Sequence, residues 1–227
     1  PSKEEVVAIV SAVKDAAEAG SKIVVIVDDA YFGLFYENET EKESLFSKLA
    51  NLHENILAVK IDGATKEYFA WGLRVGFITF GFKGATPEAY SALEYKTAGA
   101  IRGNISNTSN LSQSLIFGAL KSSECDAEKT EKFDLLKERY LATKEAVRNE
   151  KYADAFEALP FNSGYFMCIK LKKADAEKVR LKLLEKYDTG VISTSGLLRV
   201  SFSSVPAKSI PELFDNIYSA CKECENI

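Results

Sequence analysis

Apolar residues recur along this chain with two different periods, and the switches between them outline its elements. Ser2 followed three residues later by Glu5 forms a capping box, and Val6, Ile9, Val10 and Val13 continue at helical spacing until Gly20 ends the run. The next run, KIVVIVDDA (22–30), is continuously apolar and β-branched, the pattern of a strand covered on both faces in a parallel sheet. Further strands are expected at ILAVKIDG (56–63) and VGFITFG (75–81), with helices between the three. Such a set is only part of a doubly wound sheet, because the first strand needs a neighbour on its open side. With an opening PSKEE that lacks an initiator Met, the expectation is a fragment of a longer protein.

The grammar then changes. Thr86-Pro87 is an N-cap with Pro at the first helical position, starting a helix to about residue 101, and SNTSNLSQSLIFGALKS (106–122) supplies caps and a second helix. Phe133, Leu136, Tyr140 and Val147 form a helical stripe long enough to bridge two domains. YFMCIKL (165–171), a helix ending near Gly190, LLRVSFS (197–203) and a closing helix from Ser209-Ile210-Pro211 make a small α+β unit. Two domains are expected, residues 1–135 and 136–227. No internal repeat is visible.

Composition narrows the partners. Of 227 residues, 46% are hydrophobic, enough for a substantial core, while 29 Lys plus Arg against 33 Asp plus Glu leave no basic field for nucleic acid or anionic lipid. No apolar run approaches the roughly 20 residues of a membrane span, so a cytoplasmic location is the default. The four cysteines, Cys125, Cys168, Cys221 and Cys224, are too few for a disulfide scaffold. The CKEC pair reads as free thiols in a terminal tail, since zinc needs about four ligands. His53 is expected in an exposed loop without a role.

Chemistry concentrates where the strands end. In open α/β sheets ligands bind beyond the carboxyl ends of strands, and Asp28, Asp29 and Tyr31 follow one strand while Asp62 to Lys66 follow the next. A lysine that captures carbonyls needs a partly deprotonated amine, which a nearby cation such as Arg74 promotes; the planar fork of Arg74 also suits a phosphate. Lysine, carboxylate and phosphate-binding arginine together describe a pyridoxal phosphate site. Taken singly, each has an ordinary alternative: a solvated turn lysine, a helix-capping aspartate, a surface ion-pair arginine. Tyr68, Phe69 and Trp71 are expected to pack around the lysine loop.

VDDAYFGL (27–34), DGATKEYFAWGLRVG (62–76), IRGNISN (101–107) and LLRVSFS (197–203) occur in one order, and by them the chain resembles the second half of a fold-type-I, class I/II aminotransferase dependent on pyridoxal 5'-phosphate. The family pattern has small residues before the lysine, then arginine eight later, then an apolar residue and Gly; Phe69 departs at a position usually small. The resemblance implies a mixed, mostly parallel large-domain sheet with helices (1–135) and a small C-terminal α+β domain (136–227). It implies that Lys66 is tether and proton shuttle, that Asp28 binds the pyridine nitrogen, Tyr31 the phenolic oxygen and Arg74 the phosphate, and that Arg199 clamps the substrate α-carboxylate. Arg102 falls where acidic-substrate members present an arginine across a homodimer interface to a side-chain carboxylate; a structural ion pair is the competing reading. The implied substrates are an amino acid and a 2-oxo acid. A lyase or decarboxylase on the same scaffold, or a non-catalytic effector domain of a transcription regulator, are the alternatives. The resemblance also places the phosphate loop and ring-stacking residue upstream, so this piece alone is expected to be inactive. The open edge beside IVVIVDD is expected to be covered by upstream chain or another copy.

Overall fold

A computed structural model describes residues 1–225. The chain divides into two units, Pro1–Lys129 and Thr130–Ile227.

In the first unit, α1 (Lys3–Glu18) starts at the expected capping box: the Glu5 amide donates to Ser2 Oγ (3.2 Å) and the Ser2 amide to Glu5 Oε2 (2.7 Å). β1 (Ile23–Asp28), the short helix α2 (Leu45–Leu49), β2 (Ile56–Gly63), the single turn α3 (Ala64–Glu67) and β3 (Gly76–Gly81) follow, and the strands form a sheet in the order β1-β2-β3. The β1–β2 pair is parallel and the β2–β3 pair antiparallel. The helix expected between the last two strands is therefore only one turn. A parallel return needs a helix long enough to carry the chain back along the strand, which the four residues of α3 are not, and here the chain folds straight back.

One face of this sheet is packed. Val27, Ala58 and Leu49 form a core with Val10, Val13, Val25, Leu45, Phe46 and Leu52 around it. The opposite face differs from the sequence expectation of two-sided cover: Val24 (61%) and Ile26 (63%) are exposed, as are Ile61 and Ile78. Pairings Asp28↔Ile61 and Ile61↔Ile78 put those side chains in one apolar patch, because residues paired across a ladder share a face. Among the described residues β1 is an edge strand. α4 (Pro87–Asn104), capped by Thr86 Oγ1 on the Ala89 amide, and α5 (Asn110–Leu120) follow. α6 (Cys125–Ala146) contains the division between the units and buries Leu136, Tyr140 and Thr143.

The second unit has a four-stranded antiparallel sheet in the order β4-β5-β7-β6, from β4 (Phe156–Ala158), β5 (Met167–Leu171), β6 (Ile192–Thr194) and β7 (Leu197–Val200). α7 (Ala176–Lys186) and α8 (Ile210–Cys224) complete it, burying Val179 and Leu183 from one and Ile210, Phe214 and Ile217 from the other. The CKEC cysteines are not in a tail. Cys221 and Cys224 continue the i, i+3, i+4 stripe of α8 and are buried as free thiols, since the helix runs on to Cys224. Burial pushes the Cys221 thiol up to about 12. His53 is also not a fully exposed residue; it is half-buried, and its Nδ1 accepts from the Asn55 amide (3.1 Å) in the turn before β2.

Candidate active site

The eight-residue spacing between Lys66 and Arg74 has its cause in the β2–β3 ladder. Gly63 ends β2 opposite Gly76, which begins β3, and the Ala64 amide donates to the Val75 carbonyl (3.1 Å). The chain leaving one strand is thus tied to the chain entering the other, and Lys66 and Arg74 line the same cleft of about 350 Å³, with Asp62, Gly63, Thr65 and Ala30. Gly63 is required by close approach rather than conformation. Its φ of 175° is ordinary extended backbone, but a Cβ there would lie 2.6 Å from the Val75 carbonyl oxygen. Ala64 and Val75 are buried with Ile116, and Tyr68, Ala70 and Leu73 pack on them, which holds the loop base. The sequence assignment of Tyr68 to packing agrees with this.

Arg74 adopts a left-handed φ of 54°, as does Phe69, the residue that departs from the family pattern. That conformation costs an L side chain on the order of 1 kcal/mol and favours glycine, which is a physical reason for the pattern to have a small residue at position 69. Arg74 donates to the Trp71 carbonyl (3.3 Å) and, among the described residues, has no carboxylate partner. A guanidinium has five donors, so most of the fork remains available to an anion.

The parallel β1–β2 register brings the second strand end alongside. The Asp29 amide donates to the Ile61 carbonyl (2.8 Å), and the Lys66 ammonium lies 5.3 Å from the centre of the Tyr31 ring. Asp28 Oδ1 accepts from the Ala30 amide (3.1 Å), closing its own turn. Asp29 instead accepts from the Ser44 hydroxyl (2.5 Å); burial raises its carboxyl above the usual range more than this bond lowers it. Two ion pairs frame the loop without entering the sequence reading: Lys60 with Asp62, and Lys129 with Glu67 (2.7 Å).

Of the remaining predicted residues, Arg102 is not brought to this cleft. It sits exposed in the last turn of α4 and donates to Ser106 Oγ (2.8 Å). Arg199 belongs to the second unit. It lies on β7 between the buried Leu198 and Val200, its guanidinium is 4.6 Å from the centre of the Phe166 ring, and its Nε is buried with no hydrogen-bond partner. Phe166 carried no signal in the sequence, because only the pairing of Cys168 with Arg199 brings its stretch beside the arginine.

The sequence matches the family described as aminotransferase class I and II over residues 1–217. The chain belongs to that family. Among solved structures it is similar to an aminotransferase from Anaerococcus prevotii, with 26% identity and a TM-score of 0.79, covering 96% of this chain and 52% of the other. The fold also matches the α-aminoadipate aminotransferase of Thermus thermophilus complexed with N-(5'-phosphopyridoxyl)-L-leucine, with 24% identity and a TM-score of 0.73 over 95% of this chain and 54% of the other. It matches the alanine aminotransferase of Pyrococcus furiosus at 19% identity and a TM-score of 0.74, over 97% and 53%. The chain spans about half the length of these relatives, so its mixed α/β fold is part of a fold-type-I architecture. Comparison with curated proteins gives no match.

Proposed function

We propose that, in a protein of its relatives' full length, this chain carries the lysine of a pyridoxal phosphate-dependent aminotransferase that moves an amino group between an amino acid and a 2-oxo acid. The observation that carries the reading is the shared cleft of Lys66 and Arg74 at adjoining strand ends. The donor set fits the cofactor. Arg74 presents a planar fork suited to the phosphate, with only one donor engaged among the described residues, on the Trp71 carbonyl, and Tyr31, beside the Lys66 ammonium, presents a phenol to the ring oxygen. Asp28, at the end of β1, would hold the pyridine nitrogen. Bound pyridoxal phosphate supplies an electron sink for charge that develops at the substrate α-carbon.

The protein groups do the rest. Lys66 Nζ tethers the cofactor and then moves a proton to and from the substrate α-carbon. Arg199 receives the α-carboxylate in a bidentate pair, which agrees with its unpartnered buried Nε: a buried donor without an acceptor costs on the order of 1–3 kcal/mol, and a carboxylate would remove that cost. Arg102 is proposed to meet the side-chain carboxylate of an acidic substrate from across a homodimer, in the cytoplasm. The 227 residues alone are proposed to be catalytically silent. Arg74 gives the phosphate one charge-assisted partner, worth on the order of 1.5–3 kcal/mol, which is too little for tight binding.

Lys66→Ala in the full-length protein tests the central assignment. Transamination should fall to background, since tether and proton carrier are lost together; near-normal turnover would sink the reading. Titrating cofactor into the isolated chain tests the second claim, and micromolar binding with measurable amino-group transfer would refute it.

A further inference from the structure

Arg139 projects from α6 within the second unit, half-buried, and its Nη1 donates to the Ser203 carbonyl. Its Nε is buried without a partner, and among the described residues it pairs with no carboxylate. A guanidinium held this way contributes little to folding. Desolvating the charge is costly, one carbonyl offsets only part of that, and an apolar side chain of similar volume would pack there more cheaply. What the bond does is fix a turn. Ser203 follows β7 four residues after Arg199, and its amide donates to the Tyr165 carbonyl (3.3 Å). Tyr165 precedes Phe166, the ring on which the Arg199 guanidinium rests at 4.6 Å. Phe202, between the anchored serine and the strand, is fully buried against Tyr140 (ring centres 6.0 Å apart) and Phe161 (6.2 Å). Arg199, Ser203, Tyr165 and Phe166 are therefore joined in a closed ring of chain and contacts, and Arg139 is tied to that ring at the Ser203 carbonyl.

We propose that Arg139 is a positioning residue for Arg199: by holding the Ser203 carbonyl it fixes both the end of β7 and the Phe166 platform, and so sets the angle at which the Arg199 fork meets a substrate carboxylate. This rests on the carboxylate-binding role of Arg199 proposed above. A bidentate pair is sensitive to that angle, because both N–H groups must point along the two oxygens together. The carboxylate is bound equally in ground and transition states, so a loosened fork raises KM and leaves kcat nearly unchanged.

The test uses the full-length protein and steady-state kinetics with its amino acid substrate. Arg139→Met, which keeps the volume and removes the donor, should raise KM about tenfold with kcat within about threefold. Arg139→Lys, which can still reach the Ser203 carbonyl, should stay within about threefold of the parent KM. Arg199→Met should raise KM more, and the double variant Arg139→Met, Arg199→Met should be no worse than Arg199→Met, because a residue that acts through another has nothing left to act on. An unchanged KM in Arg139→Met, or additive losses in the double variant, would overturn the proposal while Arg199→Met still showed its own loss. An Arg199→Met variant with the parent KM would instead refute the carboxylate role of Arg199, and the positioning role with it. Should Arg139→Met not fold, the lysine variant decides: a KM within threefold supports the carbonyl anchor, and a tenfold rise overturns it.

Discussion

Replacing Gly63 by alanine tests whether the lysine loop is held by close backbone approach. The added methyl would stand 2.6 Å from the Val75 carbonyl oxygen, 3.1 Å from Gly76 Cα and 3.5 Å from the Val75 carbonyl carbon. These are backbone atoms of the neighbouring strand, so no rotamer change relieves them. The ordinary limit for a carbon against a carbonyl oxygen is about 3.3 Å, and the strand ends must part by several tenths of an ångström. Overpacking of this kind costs about 1–3 kcal/mol, and the Ala64 amide bond to the same carbonyl, 3.1 Å long, is stretched in the process. Because φ at Gly63 is 175°, no part of the loss comes from backbone strain. Urea unfolding followed by fluorescence of Trp71, the only tryptophan, which sits in the loop between Lys66 and Arg74, should show a midpoint lowered by about 1 M. Gly99→Ala is the matched control. Nothing stands within 4 Å of its Cβ and it lies inside α4, so it should gain about 0.5–1 kcal/mol from helix propensity. A Gly63→Ala protein within 0.5 kcal/mol of the parent, beside a stabilised Gly99→Ala, would show that the ladder is loose at the site and that the explanation of the Lys66–Arg74 spacing is wrong.

The Cys221 thiol, pushed by burial from an ordinary 9.0 to about 12, keeps its proton in the folded state where the unfolded chain releases it. Stability should therefore fall as pH rises from about 9 toward 12, by at most about 4 kcal/mol, and Cys221→Ala should flatten that part of the denaturation profile; parallel profiles would contradict the assignment. Arg102→Ala in the full-length protein should cost glutamate or aspartate about 2–5 kcal/mol of transition-state binding and spare neutral substrates. Equal losses for both would instead assign Arg102 to its bond with Ser106. Tyr152→Phe removes the hydroxyl that donates to Asp215 (2.5 Å) and should destabilise the second unit by about 1 kcal/mol, read as a lower urea midpoint.

What the sequence determined by itself lies mostly within single elements. The capping box at Ser2 and Glu5, the Thr86-Pro87 start of α4 and the Ser209-Ile210-Pro211 start of α8 are set by residues within a few positions of one another, and local backbone preferences and hydrogen bonds express them wherever the element sits. That Lys66 and Arg74 share one strand-end loop was legible for a related reason, since the twelve residues between the two readable strands leave few other arrangements. Strand direction was not legible, because a β-branched run pairs equally well either way and the length of the intervening helix decides, which is how β3 came to run antiparallel. The run IVVIVD asked for cover on both faces, and composition alone could not say that these residues cover only one of them. The two CKEC cysteines are core rather than tail for a reason that belongs to packing: α8 runs on to Cys224 and its buried face runs on with it. Phe166 beneath Arg199, and Arg139 on the Ser203 carbonyl, join residues 33 and 64 positions apart, and only the tertiary structure could bring residues so distant in sequence into contact.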